Sequence, residues 1–218
     1  MSYFELLGDI WPALLSGVKY TVLLAVTSLA LGLILGFVLA LARLARSRPI
    51  RFLGHAYVDI VRGTPLLVQL FLIYYGLPQF GINPSPLMAA TLALGGNYAA
   101  YLAEVFRGGL MSVDRGQWEA AEALGFSGTP LMRRIVLPQA VRIALPGIGN
   151  YANSMIKDTS LASVVTVNEL LRQGQIEVAY SFRSFDIYLT IAVIYLLVSL
   201  PLTVFTKRLE RRTARGYA

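Results

Sequence analysis

Cysteine is absent from the 218 residues, which removes disulfide frameworks, thiolate catalysis and cysteine-ligated metal sites together. Histidine occurs once, as His55, in a basic stretch where an interfacial residue is the ordinary reading, so a histidine metal cluster or histidine-based intramembrane chemistry is excluded. Charge is scarce. Only 14% of residues are Asp, Glu, Lys or Arg, against roughly 25% in soluble domains. No GxxxxGKS/T stretch is present to cradle a phosphate, so the chain by itself is not expected to hydrolyse a nucleotide. Carboxylates are also sparse in the apolar stretches, Glu104 and Asp158 excepted, which leaves a proton-coupled carrier built on buried acids without support. What the sequence does hold is apolar surface. With 56% hydrophobic residues it reads as an all-α membrane protein and not as a soluble domain. The net charge of +7 then asks which membrane face holds the basic residues, and nucleic acid is not the expected partner.

Uncharged runs set the organisation. Residues 20–42 hold 23 residues without a charge, about 34 Å as a helix at ~1.5 Å per residue, enough to cross the hydrocarbon. The run starts too late, with no basic segment before it, to read as a cleaved signal peptide. A further 41 uncharged residues lie between Arg62 and Glu104, interrupted by Gly76, Pro78, Gly81, Pro84 and Pro86, which predicts spans near 57–77 and 86–106 joined by a tight turn. Residues 187–206 form the last span. Between 135 and 156, apolar residues mix with Pro138, Arg142, Pro146, Gly147, Gly149, Asn150 and Asn153, and the uncharged part, 143–156, reaches only about 21 Å. This predicts a broken helix whose polar residues need protein or a wet cavity around them. Ahead of the first span, Tyr3, Phe4, Leu7, Ile10, Trp11, Leu14 and Leu15 recur at helical spacing and predict an amphipathic helix over 3–17 in the outer interface. No soluble domain, linker or internal repeat stands out, so residues 1–218 read as one transmembrane domain.

Arg43, Arg46, Arg48, Arg51 and Arg62 flank the first connection. Arg107, Arg115, Arg133, Arg134 and Arg142 flank the third, and Lys207, Arg208, Arg211, Arg212 and Arg215 fill the tail. These are fifteen of the nineteen basic residues, which leaves Lys19, Lys157, Arg172 and Arg183 for the other face. Positive charge stays on the cytoplasmic side, so five spans with the amino terminus outside and the carboxyl terminus in the cytoplasm are expected. In the longest hydrophilic connection, 107–134, Asp114 and Gln117 have capping-box spacing. Trp118, Glu119, Ala120, Ala121, Glu122, Ala123 and Leu124 follow as a short exposed helix, and Gly125 stops it.

Taken alone, that helix is an ordinary connector. Glu119, Ala120, Ala121, Gly125, Ile135, Leu137 and Pro138, however, reproduce the E-A-A-x-x-x-G with a later I-x-L-P of membrane subunits of bacterial ABC importers. Independently, Arg62-Gly63-Thr64-Pro65-Leu66-Leu67-Val68-Gln69-Leu70, Asn97-Tyr98-Ala99-Ala100-Tyr101 with Glu104 and Arg107-Gly108-Gly109, and Lys157-Asp158-Thr159-Ser160-Leu161 resemble segments of the polar amino-acid permeases of those importers. The matches run from about 15 to 208. Residues 73–82, 116–119 and 170–173 look most similar to cystine permeases.

The resemblance implies a five-span type I (MetI-like) importer fold with a cytoplasmic coupling helix, in a bacterial inner membrane. It implies no catalysis in this chain, ATP and Mg being bound by two separate ATP-binding cassette subunits. The other implied partners are a second permease copy or paralogue, an extracytoplasmic substrate-binding protein, the lipid bilayer and a polar amino acid, possibly L-cystine. Trp118, Glu119, Ala120, Ala121, Gly125, Leu137 and Pro138 are the expected contacts to the ATPase. Candidates for the substrate pathway are Asn97, Tyr98, Tyr101 and Glu104 on the third span and Asn150, Asn153, Lys157, Asp158, Thr159 and Ser160 after it, because a zwitterion needs polar groups at membrane depth. Lys157 and Asp158 either serve that pathway or pair with each other. Arg62, Gly63, Thr64 and Pro65 are either a plain helix start or a gate element, with Asp59 as a partner for Arg62. Ser28, Gly32, Gly36 and Ala40, four apart, form a small-residue stripe for packing within the chain or at a dimer seam.

Overall fold

This computed structural model describes residues 3–215, the side chains of Phe4 and 212–215 excepted; the readings on Phe4, Arg212 and Arg215 therefore fall outside the described residues. Every regular element among them is helical. In order they are α1 (Tyr3–Leu44), α2 (Arg48–Arg62), α3 (Leu66–Phe71), α4 (Pro86–Met111), α5 (Arg115–Ala123), α6 (Gly128–Leu131), α7 (Leu137–Asp158), α8 (Leu170–Ser181) and α9 (Ser184–Arg215). Within this set, Glu5–Leu44 and Ser184–Arg211 are each long and apolar enough to cross a membrane, and the bent pair Arg48–Arg62 with Leu66–Phe80 meets the same measure as one unit.

The centre is α4, packed against α1, α2, α3 and α7. Its buried face is made of Ala89, Ala90, Ala93, Gly95, Ala99, Ala100 and Ala103 as well as larger residues, so neighbouring backbones approach closely. The stripe on α1 meets this face. A Cβ on Gly36 would lie 2.9 Å from Leu102 Cβ and 3.0 Å from the carbonyl oxygen of Ala99, and one on Gly32 would lie 3.3 Å from the carbonyl oxygen of Gly95. Of the two readings of the stripe, packing within the chain is the one observed.

Three expectations are corrected. Residues 3–17 are not a separate interfacial helix: α1 runs through Pro12 without a break for 42 residues, about 63 Å. Of that stripe, Ile10 and Leu14 are buried together with Leu6 against Leu170, Ile187 and Ile191 of α8 and α9, while Trp11 and Leu15 stay exposed, so protein covers part of the apolar period. The span drawn at 57–77 instead bends by 104° between α2 and α3, because Pro65 stands at the N-cap of α3 and Gly63 closes α2. The helix drawn as broken over 135–156 is continuous from Leu137. Pro138 follows a π-helical turn over Met132–Val136 that leads directly into the helix, and Pro146 is accommodated inside it. Its glycines serve close crossings: a Cβ on Gly147 would meet Val105 at 2.9 Å, and Gly149 abuts Thr206. The helix changes only after Asp158, into the tight turns of Thr159–Val165.

Candidate functional site

On α4, Asn97, Tyr98 and Tyr101 recur at helical spacing, and on α7, Tyr151, Ser154 and Asp158 do the same. These two faces and the bend at 62–66 enclose a cavity of about 460 Å³. Tyr98 donates a 2.6 Å hydrogen bond to Asp158 Oδ2. The rings of Tyr98, Tyr101 and Tyr151 stand 5.5–6.3 Å apart, and the Arg62 guanidinium sits 5.3 Å from the Tyr101 ring centre. The cavity thus carries a carboxylate on one wall, a guanidinium on another and aromatic faces between.

The arginine extends to a second cluster. Glu104 meets Arg43 at 2.8 Å, Arg107 at 3.0 Å and Arg62 at 3.4 Å, so one carboxylate faces three guanidiniums. Arg107 Nε donates to it. The Arg43 contact is close in distance but not aligned, since Nε and Nη1 of Arg43 make no hydrogen bond. Arg62 is the most exposed of the three, at 45% against 6% for Arg43. Asp59 is exposed and is not its partner; its carbonyl oxygen accepts from Gly63 N–H instead.

Of the ten residues predicted for the pathway, Asn97, Tyr98, Tyr101 and Asp158 line the cavity, together with Arg62, Gly63, Thr64 and Pro65 of the predicted gate. The other six do not. Glu104 belongs to the arginine cluster. Asn150 donates to Glu210 on α9, Asn153 turns a buried amide oxygen that has no partner, and Lys157 is exposed. Thr159 is buried and donates to the carbonyl oxygen of Ile156, and Ser160 is half-buried in the turn beyond. Lys157 and Asp158 do not pair. A continuous helix explains the division: 150, 153 and 157 share one face, and 151, 154 and 158 share the next. Tyr151 and Ser154 were legible at that period, but the expected break hid it.

The exposed helix α5 begins at Asp114, whose Oδ1 accepts from Gly116 N–H at 2.7 Å. Gln117 does not complete a capping box; its side-chain oxygen accepts from Gln139. At the other end, Phe126 N–H bonds the carbonyl of Ala121 and Gly125 N–H that of Glu122, with Gly125 at φ +83°, a Schellman stop. Ala121 is buried in a small core with Val136 and Ala140, with Trp118 packed against it, and so faces inward. Glu119, Ala120, Gly125 and Pro138 are exposed, Leu137 is half-buried, and Leu124 is 79% exposed. The open side of α5 therefore includes Glu119, Ala120, Glu122 and Ala123, continued by Leu124 just past its end.

Residues 32–215 match the family described as binding-protein-dependent transport system inner membrane component. The chain belongs to this family. It is 40% identical to the L-cystine transport system permease protein of Bacillus subtilis over 95% of this chain and 89% of that one. It is 39% identical to the glutamine transport system permease protein of Escherichia coli over 93% and 95%. Among solved structures, an amino acid ABC transporter crystallised with histidines superposes with a TM-score of 0.89 at 36% identity, covering 97% of this chain and 99% of that one. A methionine ABC transporter in an inward-facing conformation shares the fold, with a TM-score of 0.74 at 21% identity over 92% and 95%. The type I importer fold follows, in an inner-membrane permease subunit that is not itself an enzyme and that works with ATPase and binding-protein partners.

Proposed function

We propose that this chain forms, with a second permease copy or a paralogue, the path of an importer for polar amino acids, L-cystine among them. The cavity between α4 and α7 is the observation that carries this reading. An amino acid brings an ammonium and a carboxylate, and the cavity opposes Asp158 to Arg62 with aromatic faces between. Asp158 is the acceptor for the ammonium. Arg62, which lines the cavity as Lys157 does not, is the partner for the carboxylate. The similarity to permeases named for cystine and glutamine supports the substrate class. The open face of α5 docks on an ATP-binding cassette subunit, one to each permease chain, and ATP and Mg are held there.

Five crossings are made by α1, the bent α2 and α3 unit, α4, α7 and α9. At about 39 Å and 33 Å, the 26-residue α4 and 22-residue α7 are long enough to cross, and α4 is shielded from lipid by its neighbours. Reconstitution tests the reading. Uptake of L-cystine or L-glutamine into proteoliposomes is expected only with this chain, its ATPase, loaded binding protein and ATP together, and a reporter after Ala218 should be cytoplasmic. Uptake by this chain alone, without ATP, sinks it.

A further inference from the structure

Gln69, in the first turn and a half of α3, lies outside the candidate residues, yet its amide determines how one of them is presented. Its Nε2 lies 2.8 Å from the carbonyl oxygen of Val61, 3.2 Å from that of Thr64 and 2.8 Å from Thr64 Oγ1. Main-chain carbonyls only accept, so the nitrogen of the Gln69 amide must face the bend and its oxygen must face away. Thr64 Oγ1 donates to the carbonyl oxygen of Ile60 and is thus an acceptor toward Gln69 as well. The oxygen of Gln69 meets Asn97 at 3.1 Å, and an oxygen there requires Asn97 to donate through Nδ2. The direction set at the end of α2 is therefore passed to α4, where Asn97, 5% exposed, turns one N–H to Gln69 and keeps its oxygen and its second N–H for the cavity it lines.

The pair also divides two spaces. On one side lies the cavity with Asp158; on the other is an apolar crevice of about 350 Å³ between α2, α3 and α4, with Thr64 and Asn97 in both walls. We propose that Gln69 is a positioning residue that fixes the Asn97 amide with its nitrogen turned to α3, so that its oxygen is held available to the cavity beside Asp158 as an acceptor for the substrate ammonium at that end. The inference rests on the cavity being the amino-acid site. Without the lock, an Asn97 amide would rotate freely and present its NH2 to a cation as often as its oxygen.

The natural absence of cysteine supplies a test that needs no turnover. In the assembled importer, Ser154→Cys places the chain's one thiol in the cavity wall. The concentration of amino acid that half-protects it from a thiol reagent reports occupancy. The probe is whichever of L-glutamine, L-arginine and L-histidine the wild type takes up best, a disulfide such as L-cystine being left out because it would exchange with the thiol. Gln69→Met keeps the side-chain length and loses both ends of the lock, so the half-protecting concentration should rise about tenfold. Gln69→Glu loses the donors to the bend but keeps an acceptor for Asn97, and should stay within about threefold while lowering thermal stability. An unchanged value for Gln69→Met, or an equal rise for both variants, overturns the role of Gln69. If Gln69→Met does not assemble, Gln69→Glu decides, and a tenfold rise there overturns it. Asp158→Asn separates the two levels: if it shifts protection and Gln69→Met does not, only the lock fails. If the Ser154→Cys parent shows no protection at all, or Asp158→Asn shifts nothing, the cavity reading fails too.

Discussion

Glu104→Gln should leave an importer that assembles poorly and unfolds at a distinctly lower temperature. The carboxylate is shared by Arg43, Arg62 and Arg107, and its removal leaves three guanidiniums within reach of one another. Arg43 decides the size of the effect because its side chain is only 6% exposed and cannot turn to water. Breaking a buried pair costs about 3–5 kcal/mol, and Glu104, 28% exposed, belongs at the lower end of that range. A loss of about 3 kcal/mol is a fall of more than a hundredfold in the folded ratio. Glu104→Asp should recover part of it by keeping the charge on a shorter arm. The measurement is thermal unfolding of the purified complex alongside its yield. A Glu104→Gln variant with wild-type stability would show that the cluster is a surface network of little consequence.

Gly125→Val should give a chain that folds and inserts but transports at roughly one-tenth to one-hundredth of the normal rate. A Cβ at Gly125 meets nothing within 4 Å, so no clash is involved. The effect is in the backbone: φ is +83°, a region a β-branched residue enters at a cost of about 1–3 kcal/mol. Relieving that strain undoes the Schellman stop and re-aims Leu124 and Phe126 at the end of α5. Transmission between ATPase and spans is the function of that surface in the proposed reading, so stimulation of ATPase by loaded binding protein should fall with uptake. Basal ATPase and membrane insertion of the chain should not. Stimulated uptake at the normal rate would falsify the docking role of α5.

Both effects trace to residues that stand out in the sequence, and the contrast with what did not stand out is physical. Uncharged runs marked the apolar helices because the hydrocarbon tolerates little else. Gly125 marked the helix end because few other residues take that conformation. The small residues of α1, α4 and α7 were ambiguous: Gly147 and Gly149 looked like breaks in α7, whereas they admit Val105 and Thr206 at close crossings. Ile10 and Leu14 looked like part of a lipid-facing stripe because periodicity reports an apolar neighbour without saying whether it is lipid or protein. Helix α8, capped by the buried Glu169 through Leu171 and Arg172 N–H, had no apolar period strong enough to announce it. The same residues of α7 divide in the site: the continuous helix separates Tyr151, Ser154 and Asp158 on the cavity face from Asn150, Asn153 and Lys157 on the other, a division that a broken helix does not predict.

The central claim is that an amino acid passes between α4 and α7 with its ammonium at Asp158, and one substitution tests it most directly. Asp158→Asn keeps the size of the side chain and still accepts the hydrogen bond from Tyr98, so the helices should hold together. It removes the charge that attracts the ammonium, a difference of about 1.4 kcal/mol or more for a charge-assisted contact. In proteoliposomes bearing the complete importer, the substrate concentration for half-maximal ATP-driven uptake should rise about tenfold or more, with assembly and basal ATPase unchanged. A complex that falls apart, or one that takes up the same amino acids at the same concentrations, would contradict the account and make Asp158 a structural residue.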